Sequence, residues 1–370
     1  MSRSKVPYAE PYITEEDVEA VAEAVRNKRL SQGEYVERFE KEFAAHLGRR
    51  FALAVSNGTA ALHLAVLAAG VNAGDEVIVP SFTFAATANC VLYVGARPVF
   101  VDIDPDSYNI DPEGLETSIS HRTKAIIVVH YGGQTADMDP ILEIAKKKNV
   151  RVIEDATEAH GATYKKAKAG ALGEIGCFSF YPNKNMTTGE GGMFVTDDEQ
   201  ILKKVRLLRN HGQDSRFHHV TIGYNYKLTD IQATLGLVQL QRLDWVIRKK
   251  QEAAEFYREL IGNTCKESVK PPCVMDYATH TYMFYTVKFQ EADLRNRVMT
   301  HLDEHGIETV VAFPPVHLQP FYRHLYGLGE GFLKVTEDCA KRVLSLPMYP
   351  TIKRHDQKFI IESIAEGLAK

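Results

Sequence analysis

Residues 51–80, FALAVSNGTAALHLAVLAAGVNAGDEVIVP, contain the pattern that decides the fold class. Residues 51–56 are a candidate buried strand, 60–69 form a helix that is apolar nearly all round, and 76–80 are the next strand. Runs that are apolar on both faces are typical of a sheet covered by helices on either side. The stretch therefore predicts an α/β fold with a largely parallel sheet.

The same alternation of apolar runs and helical stretches extends to residue 196. Two helices come first, and the turn signal Leu30-Ser-Gln-Gly33 separates them. Their predicted bounds are 14–30 and 34–47. Further strands are predicted at 98–102, 124–130, 151–155 and 192–196, and further helices at 85–93 and 139–149.

Beyond residue 196 the pattern becomes mainly helical, with helices predicted at 198–209 and 229–261, the second broken near 242–244. Residues 264–278 contain two consecutive prolines and lack strong periodicity. They predict a seam between a large domain, 1–262, and a smaller C-terminal α/β domain, 263–370. In the small domain we expect strands at 282–289 and 308–313 and helices at 291–305, 334–343 and 355–369.

The composition excludes several classes of protein. A chain of 370 residues with 45% hydrophobic and 25% charged residues is an ordinary globular protein with more than one core. Its net charge of −4 gives no electrostatic basis for binding nucleic acid or an anionic membrane. The start lacks the apolar core of a signal peptide, no apolar run could span a bilayer, and five scattered cysteines form no disulfide or metal pattern. We therefore expect a cytoplasmic protein.

The residues that follow the first strand are a candidate phosphate site. In an open α/β sheet, ligands bind beyond the carboxyl ends of the strands. Ser56-Asn57-Gly58-Thr59-Ala60 stand there, directly ahead of a helix. Gly58 permits a tight turn, Thr59 supplies a hydroxyl, and the helix start presents free amides and a positive dipole end. An ordinary capped helix start is the alternative.

Other strand ends carry an aromatic ring, a carboxylate and an amine. Phe84 follows the second strand and could stack on a flat ring, although core packing is the alternative. Asp155 closes an apolar run, where a buried carboxylate needs a partner such as a cationic ring nitrogen, an arginine or the backbone. Ser179 lies five residues before Lys184, which follows the aromatic run 178–181. Desolvation there would lower the pKa of the lysine and favour a nucleophilic amine.

Together these parts describe a site for pyridoxal 5'-phosphate (PLP): a phosphate cradle, a stacking aromatic, a carboxylate for a pyridinium and a lysine for an aldehyde. The first loop lacks both G-x-G-x-x-G and G-x-x-x-x-G-K-[ST], which disfavours dinucleotides and nucleoside triphosphates. His211, His218 and His219 cluster in sequence but fit no zinc spacing, so no metal is expected.

Four motifs, in this order, resemble the DegT/StrS family of sugar aminotransferases. They are SNGTAALHL (56–64), EDATEAHGA (154–162), GCFSFYPNKN (176–185) and GYNYKLTDIQA (223–233). The resemblance extends from about residue 8 to the end of the chain. It implies the aspartate-aminotransferase-like fold (PLP fold type I), with a large mixed or parallel-sheet domain and a smaller one. It also implies a homodimer with active sites at the subunit interface.

The resemblance implies a role for each candidate residue. Lys184 would hold PLP as a Schiff base, Asp155 would face the ring nitrogen and Phe84 would stack on the ring. The residues implied at the phosphate are Gly58, Thr59, Ala60, Ser179 and, reaching in from the neighbouring subunit, Asn225.

Three further positions are implied near the cofactor or the substrate. The family often has Gln or His three residues after the aspartate, beside the phenolic oxygen of the cofactor. This chain has Glu158 there, and a carboxylate would repel a phenolate unless it is protonated. His317, in PPVHLQP (314–320), and the segment with His211 are implied beside the substrate; a structural turn and a mobile polar loop are the alternatives.

The implied reaction is transamination through PLP and pyridoxamine 5'-phosphate. The nitrogen of an amino donor, L-glutamate by analogy, passes to a keto-sugar linked to a nucleoside diphosphate. Residues 187–192 resemble members that aminate C4, which favours a 4-keto-6-deoxy sugar. The alternatives are a keto-cyclitol or aminoglycoside precursor as substrate, a PLP-dependent dehydratase, against which Lys184 argues, and a non-catalytic PLP-binding regulator.

Overall fold

The computed structural model describes residues 5–265 and 267–370. Residues 1–4 lie outside the described residues. They belong to the N-terminal segment in which the sequence predicts no signal peptide. The strands of the described ranges are, in chain order, β1 (Phe51–Val55), β2 (Glu76–Pro80), β3 (Arg97–Val101), β4 (Thr123–Val129), β5 (Arg151–Asp155), β6 (Thr163–Tyr164), β7 (Ala167–Lys168), β8 (Ile175–Ser179), β9 (Gly192–Thr196), β10 (Gln213–Ser215), β11 (His218–His219), β12 (Val269–Lys270), β13 (Tyr285–Phe289) and β14 (Val343–Leu346).

The helices account for most of the remaining regular structure. They are α1 (Glu15–Arg26), α2 (Glu34–Leu47), α3 (Gly58–Ala68), α4 (Ala86–Leu92), α5 (Pro112–Ser118), α6 (Met138–Lys148), α7 (Glu199–Arg209), α8 (Asp230–Thr264), α9 (Ala292–Glu304), α10 (Pro320–Tyr326), α11 (Lys334–Arg342) and α12 (Arg354–Ala369). Within the described part of the chain, no helix is both long enough and apolar enough to cross a membrane.

Seven strands form the main sheet, in the order β1-β9-β8-β5-β4-β2-β3. The strands from β8 to β3 pair in parallel, whereas β9 is antiparallel to both of its neighbours, β1 and β8. Two antiparallel pairings in succession leave β1 and β8 pointing the same way. The carboxyl ends of β1, β2, β5 and β8 therefore meet at one edge, and the expected largely parallel α/β sheet is confirmed.

Helices cover both faces of the main sheet. Leu53 and Val55 of β1 pack in a core with residues of α3, α4 and α7, whereas Ala52 and Ala54 pack in a second core with α2 and α8. Because successive side chains of a strand point to opposite faces, burial on both sides requires a continuous apolar run. This explains why the strands of the sheet could be recognised in the sequence.

The turn between the first two helices is fixed by a residue distant in sequence. Asp230, the first residue of α8, accepts hydrogen bonds on Oδ1 from Gly33 N at 2.9 Å and from Val36 N at 3.0 Å. A Cβ atom on Gly33 would lie 2.6 Å from Asp230 Oδ2. The carboxylate thus caps the start of α2, and the expected turn needs a glycine at this position.

A second sheet is formed by β12, β13 and β14, which pair antiparallel. It packs with α9, α12 and the C-terminal part of α8. Helix α8 joins the two parts of the molecule, since Ala233 and Leu240 belong to a core of the main sheet and Ala254 and Tyr257 to the core of the second sheet. The division into domains 1–262 and 263–370 stays a prediction.

Two predictions about the C-terminal half are wrong. Helix α8 continues without a break through 242–244, because Arg242 points to α1 and pairs with Asp17 and Glu16. Residues 308–313 form no strand; Val310 makes a single bridge to Ser345. Strand β13 pairs instead with β12 and β14, neither of which was predicted.

Candidate active site

A cavity of about 550 Å³ lies at the edge where the carboxyl ends of β1, β2, β5 and β8 meet. It brings together most of the residues expected from the separate strand ends. The residues that line it are Asn57, Gly58, Thr59, Leu62, Thr83, Phe84, Ala86, Thr87, Val129, Asp155, Thr157, Glu158, Ser179, Tyr181, Asn183, Lys184, Glu190, Phe284 and Phe313.

Asp155 lies at the floor of the cavity and is 3% exposed. Its Oδ2 accepts a hydrogen bond from Thr87 Oγ1 at 2.8 Å, and its Oδ1 accepts one from Thr157 Oγ1 at 2.7 Å. No cationic side chain of the described residues lies within salt-bridge distance of it. Two hydroxyl groups therefore orient the carboxylate, and its charge remains available to a cationic group in the cavity.

The start of α3 forms one wall of the cavity. Asn57 caps this helix, because its Oδ1 accepts a hydrogen bond from Ala60 N at 2.8 Å. Phosphate binding through the Ala60 amide would have to displace this cap, and Ala60 does not line the cavity. Gly58 and Thr59 do line it, and the first amides of a helix have no intrahelical partner.

Gly58 is required where α3 approaches β8. A Cβ atom at this position would lie 2.8 Å from Ser179 Cβ and 3.3 Å from Thr157 Cγ2. The backbone of Gly58 thus lies against the serine that the sequence predicted as its partner. The close approach leaves a cradle of amides and one hydroxyl, which is suited to an anion such as a phosphate.

Lys184 and Glu158 face each other across the cavity floor. Lys184 Nζ lies 3.9 Å from Glu158 Oε1, and the lysine side chain is 12% exposed. Burial lowers the pKa of Lys184, while Glu158 and Asp155 oppose that shift. Burial also raises the pKa of Glu158, whose Oε2 accepts a hydrogen bond from Gly132 N at 2.9 Å. The carboxyl group therefore points towards the lysine.

The open side of the cavity is aromatic. Phe84 is 61% exposed, and its ring centroid lies 6.0 Å from that of Phe313. Phe82, two residues earlier, is fully buried against Tyr108 and Tyr131. The two alternatives for this segment thus apply to different residues: Phe82 belongs to the core, and Phe84 presents a ring to the cavity.

Besides Ala60, three predicted residues do not line the cavity. His317 is fully buried; its Nδ1 lies 2.7 Å from Ser81 Oγ and its Nε2 lies 3.3 Å from Glu337 Oε1. Both ring nitrogens are thus used within the chain, which favours the structural alternative. His211 and Asn225 are exposed, on a segment that includes the hairpin β10–β11, and Asn225 Oδ1 accepts a hydrogen bond from Lys227.

Sequence reasoning missed the hydroxyl groups that orient Asp155 and one amide. Thr87 is the second residue of α4, and Thr157 lies two residues after Asp155. Asn183 lines the cavity, and its Oδ1 is buried without a hydrogen-bond partner among the described residues. The position of Thr157 just after a strand end was a usable signal, whereas that of Thr87 inside a helix was not.

Comparison with known proteins agrees with this geometry. Residues 11–365 match the model of the DegT/DnrJ/EryC1/StrS aminotransferase family. The chain belongs to this family. The match extends over both sheets and includes the whole cavity, so the expected family is confirmed.

Relatives from this family are similar over almost the whole chain. GDP-perosamine synthase of Caulobacter vibrioides is 41% identical over 369 residues, 98% of each protein. The dTDP-3-amino-3,4,6-trideoxy-alpha-D-glucose transaminase of Streptomyces venezuelae is 36% identical, over 98% of this chain and 96% of the relative. A putative sugar aminotransferase of Streptococcus pneumoniae, solved in a PLP form, has a TM-score of 0.94 and 27% identity over 99% of both chains.

The chain is therefore a PLP-dependent aminotransferase with the aspartate-aminotransferase-like fold (PLP fold type I). The cavity fits this cofactor. Asp155 offers an oriented buried carboxylate, Gly58 and Ser179 form a cradle for an anion, and Phe84 presents an exposed ring. The unpartnered Oδ1 of Asn183 offers one more polar contact.

Proposed function

We propose that this chain transfers the amino group of L-glutamate to a keto-sugar linked to a nucleoside diphosphate. The names of the Caulobacter and Streptomyces relatives support the nucleotide-sugar class, since each name refers to a nucleotide-linked amino sugar. The observation that carries the proposal is the approach of Lys184 Nζ to Glu158 Oε1, 3.9 Å apart beside Asp155. It supports proton transfer next to a cofactor held at the same edge of the sheet.

We assign the binding of PLP to residues of the cavity. When bound, PLP supplies a carbonyl group that captures amines and a ring that withdraws electrons from them. Asp155 would accept a hydrogen bond from the ring nitrogen and keep that nitrogen protonated. The amides of Gly58 and Thr59 and the hydroxyl of Ser179 would hold the phosphate, and Phe84 would pack on the ring.

Lys184 holds the cofactor and then moves protons. Because burial lowers its pKa, a larger share of the amine is neutral near neutral pH than for an exposed lysine. The neutral amine is the form that acts as nucleophile and as base. In its neutral form the amine would remove the proton from Cα of the amino donor, and in its protonated form it would give a proton to the sugar carbon that receives the nitrogen. Donor and acceptor exchange an amino group for a keto oxygen, so no oxidant is consumed.

Glu158 has a separate role in this proposal. Burial raises the pKa of its carboxyl group, which makes protonation beside a phenolate oxygen easier and so reduces the repulsion expected there. In its ionised form it raises the pKa of Lys184. Glu158 therefore points towards Lys184 and controls how readily that lysine gains or loses a proton, instead of turning away from the cofactor.

We further propose a homodimer in which each active site uses residues of both subunits. Asn225 is exposed, and so are Phe217 and Ile222, each 78% exposed on the same segment. Large apolar side chains that protrude into solvent are suited to an interface between copies. In such a dimer Asn225 reaches the phosphate in the neighbouring site, and His211 lies on the segment that approaches the substrate.

A panel of acceptors tests the proposed substrate. The purified protein would be incubated with PLP, L-glutamate and GDP-, dTDP- and UDP-linked 3-keto and 4-keto sugars, with a keto-cyclitol included. Mass detection shows which ketone becomes an amine. We expect amination of a nucleotide-linked 4-keto-6-deoxy sugar. Conversion of the keto-cyclitol alone would overturn the nucleotide-sugar assignment, and conversion of a 3-keto sugar alone would overturn the choice of C4.

A further inference from the structure

Lys250 is a second buried lysine close to Lys184, and the proposed reaction does not use it. It stands on α8 and is 3% exposed. Its Nζ donates a hydrogen bond to Asn185 Oδ1 at 2.8 Å. Lysine is rarely buried to this extent without a charged partner, yet no carboxylate of the described residues lies within salt-bridge distance of Lys250.

Asn185 directly follows Lys184 and is itself 3% exposed. Its Nδ2 donates a hydrogen bond to Thr281 O at 3.2 Å, and Thr281 N donates one to Gly133 O at 2.8 Å. The residue before Gly133 is the one whose amide binds Glu158. Hydrogen bonds, joined by short stretches of backbone, thus connect Lys250 on α8 to the residue that follows Lys184 and to the loop that holds its acidic neighbour.

Two other titratable groups lie around Lys250. Lys184 faces it from the loop after β8, and His160 faces it from the segment after β5. Burial, followed by the charge of Lys184, lowers the pKa of Lys250 to about 7. Burial and Lys184 likewise lower the pKa of His160 to about 3, so this ring is neutral near pH 7. The acidic groups Asp155 and Glu158 act on Lys184.

We propose that Lys250 is a positioning residue for catalysis: by holding Asn185 it fixes the backbone that carries Lys184. Burial of its amine at this place lowers the stability of the fold. This inference rests on the proposed role of Lys184. A residue kept only for stability would not be a buried amine without a carboxylate partner, because an apolar side chain of similar size is at least as stable there. Holding the reacting amine in place increases the rate of turnover more than it increases the stability of the fold.

Four variants and one control test the positioning role. Lys250→Met and Asn185→Ala break the connection from either end, and each should lower kcat by roughly ten- to a hundredfold with little change in KM. Lys250→Arg keeps a donor and should restore most of kcat. Lys249→Met is the matched control, because Lys249 is the partly exposed neighbour on the same helix and pairs with Glu252. The double variant Lys250→Met/Asn185→Ala should be no slower than the slower single variant.

The pH dependence of unfolding of the cofactor-free protein gives an independent measurement. The folded pKa of about 7 lies below the value for an unfolded lysine, so the unfolded chain binds more protons between the two values. Wild-type stability therefore gains from Lys250 as pH rises above 7, and the penalty is largest below pH 7. Lys250→Met should lack this gain and should have a higher Tm than wild type at pH 6, by a margin that shrinks towards pH 10.

The outcomes separate this inference from the proposed function. A Lys250→Met protein with wild-type kcat, or one with reduced kcat and an equally reduced Tm at every pH, would overturn the positioning role. Independent effects in the double variant would do so as well. If wild type carries PLP on a residue other than Lys184, the proposed function fails. In that case the unfolding difference still shows whether Lys250 is a buried titrating amine.

Discussion

The floor of the cavity and the segment 210–225 present opposite kinds of surface. We use "cavity floor" for Thr87, Asp155, Thr157, Glu158 and Lys184. Its polar groups are buried, and their contacts come from the same chain. Segment 210–225 is mostly exposed. Phe217 and Ile222 protrude into solvent, and Asn225 Oδ1 accepts a hydrogen bond from Lys227 of the same chain.

This difference indicates which parts of the active site a single chain can form by itself. A charged or polar group that must act at a defined place needs partners at fixed distances, and the main sheet supplies them by bringing four strand ends to one edge. The side chains of segment 210–225 are suited to binding a partner molecule, and such contacts require a second molecule. We infer that one subunit supplies the groups that act on the cofactor ring and move protons, whereas phosphate binding and substrate binding also use residues of the proposed second copy.

The largest effect is expected at the centre of the cavity floor. Lys184→Arg keeps a positive charge but removes the amine that can be neutral, so turnover should fall by at least about ten-thousandfold, the upper range for loss of a proton-transfer group. Steady-state assay with glutamate and the accepted keto-sugar measures this. Lys203→Arg, on the surface of α7, is the control. Wild-type activity in Lys184→Arg would contradict the assignment.

The next largest effect concerns the charge at the ring nitrogen. Asp155→Asn preserves size but removes the negative charge, so kcat should fall by about a hundred- to a thousandfold, as for other preorganised electrostatic groups. The absorbance of the bound cofactor should change as well, because its ring nitrogen loses a proton. Asp139→Asn, an exposed carboxylate paired with Lys165, serves as control. Unchanged kcat and absorbance would exclude the proposed contact.

Hybrid dimers test whether segment 210–225 works across the interface. Asn225→Ala alone should weaken PLP binding by about ten- to a hundredfold, the range for a hydrogen bond to a charged group. When Asn225→Ala and Lys184→Arg subunits are mixed, one site of each hybrid regains both wild-type residues. About a quarter of wild-type activity should return in a two-fold symmetric dimer with random exchange. No recovery after proven subunit exchange would place Asn225 in its own subunit's site.

A smaller effect is expected from the group that orients Asp155. Thr87→Val removes one of two hydroxyl donors and should lower kcat by about tenfold, since a hydrogen bond to a charged group contributes about 1.5–3 kcal/mol. Thr300→Val, on α9, removes an exposed hydroxyl that donates a hydrogen bond to Asn296 O and is the control. If Thr87→Val behaves like wild type, as the control should, Asp155 does not depend on the Thr87 hydroxyl.

The smallest effect is a displacement of the pH profile. Ionised Glu158 raises the pKa of Lys184, so Glu158→Gln should lower that pKa and move the acidic limb of kcat to lower pH. This limb depends on the neutral amine of Lys184 in the complex with the amino donor, where the amine is no longer bound to the cofactor. A pH titration of kcat at constant ionic strength measures it. An acidic limb at higher pH in the variant would mean that Glu158 does not act on Lys184 as proposed.

Much of the fold and half of the site could be predicted from the sequence. Buried strands are continuous apolar runs, and ligand-binding residues follow them, so Asp155, Ser179 and Lys184 were found at strand ends. The continuity of helix α8 was harder to predict. In the sequence, Arg242 and its neighbours resemble a polar interruption, and only the fold shows that carboxylates of α1 pair with Arg242. Residues 308–313 resembled a strand because they are mostly apolar, but they form a loop in which Val311, Ala312 and Phe313 pack and Val310 is exposed.

The remainder depended on distances that no local pattern encodes. Thr87 is an ordinary helical threonine until the fold brings it 2.8 Å from Asp155. His317 resembled a substrate ligand by its motif, but Ser81 and Glu337 occupy its ring nitrogens. Lys250 gave no signal at all, since one lysine in a charged helix is expected to face solvent.

Covalent mapping of the cofactor tests the central claim most directly. The protein loaded with PLP would be treated with sodium borohydride, which fixes the cofactor to the amine that holds it, and then digested for peptide mass analysis. We predict a pyridoxyl group on Lys184 and none on the neighbouring buried Lys250. A label on Lys250, or a stoichiometric loading that leaves Lys184 unmodified, would contradict this account of the active site.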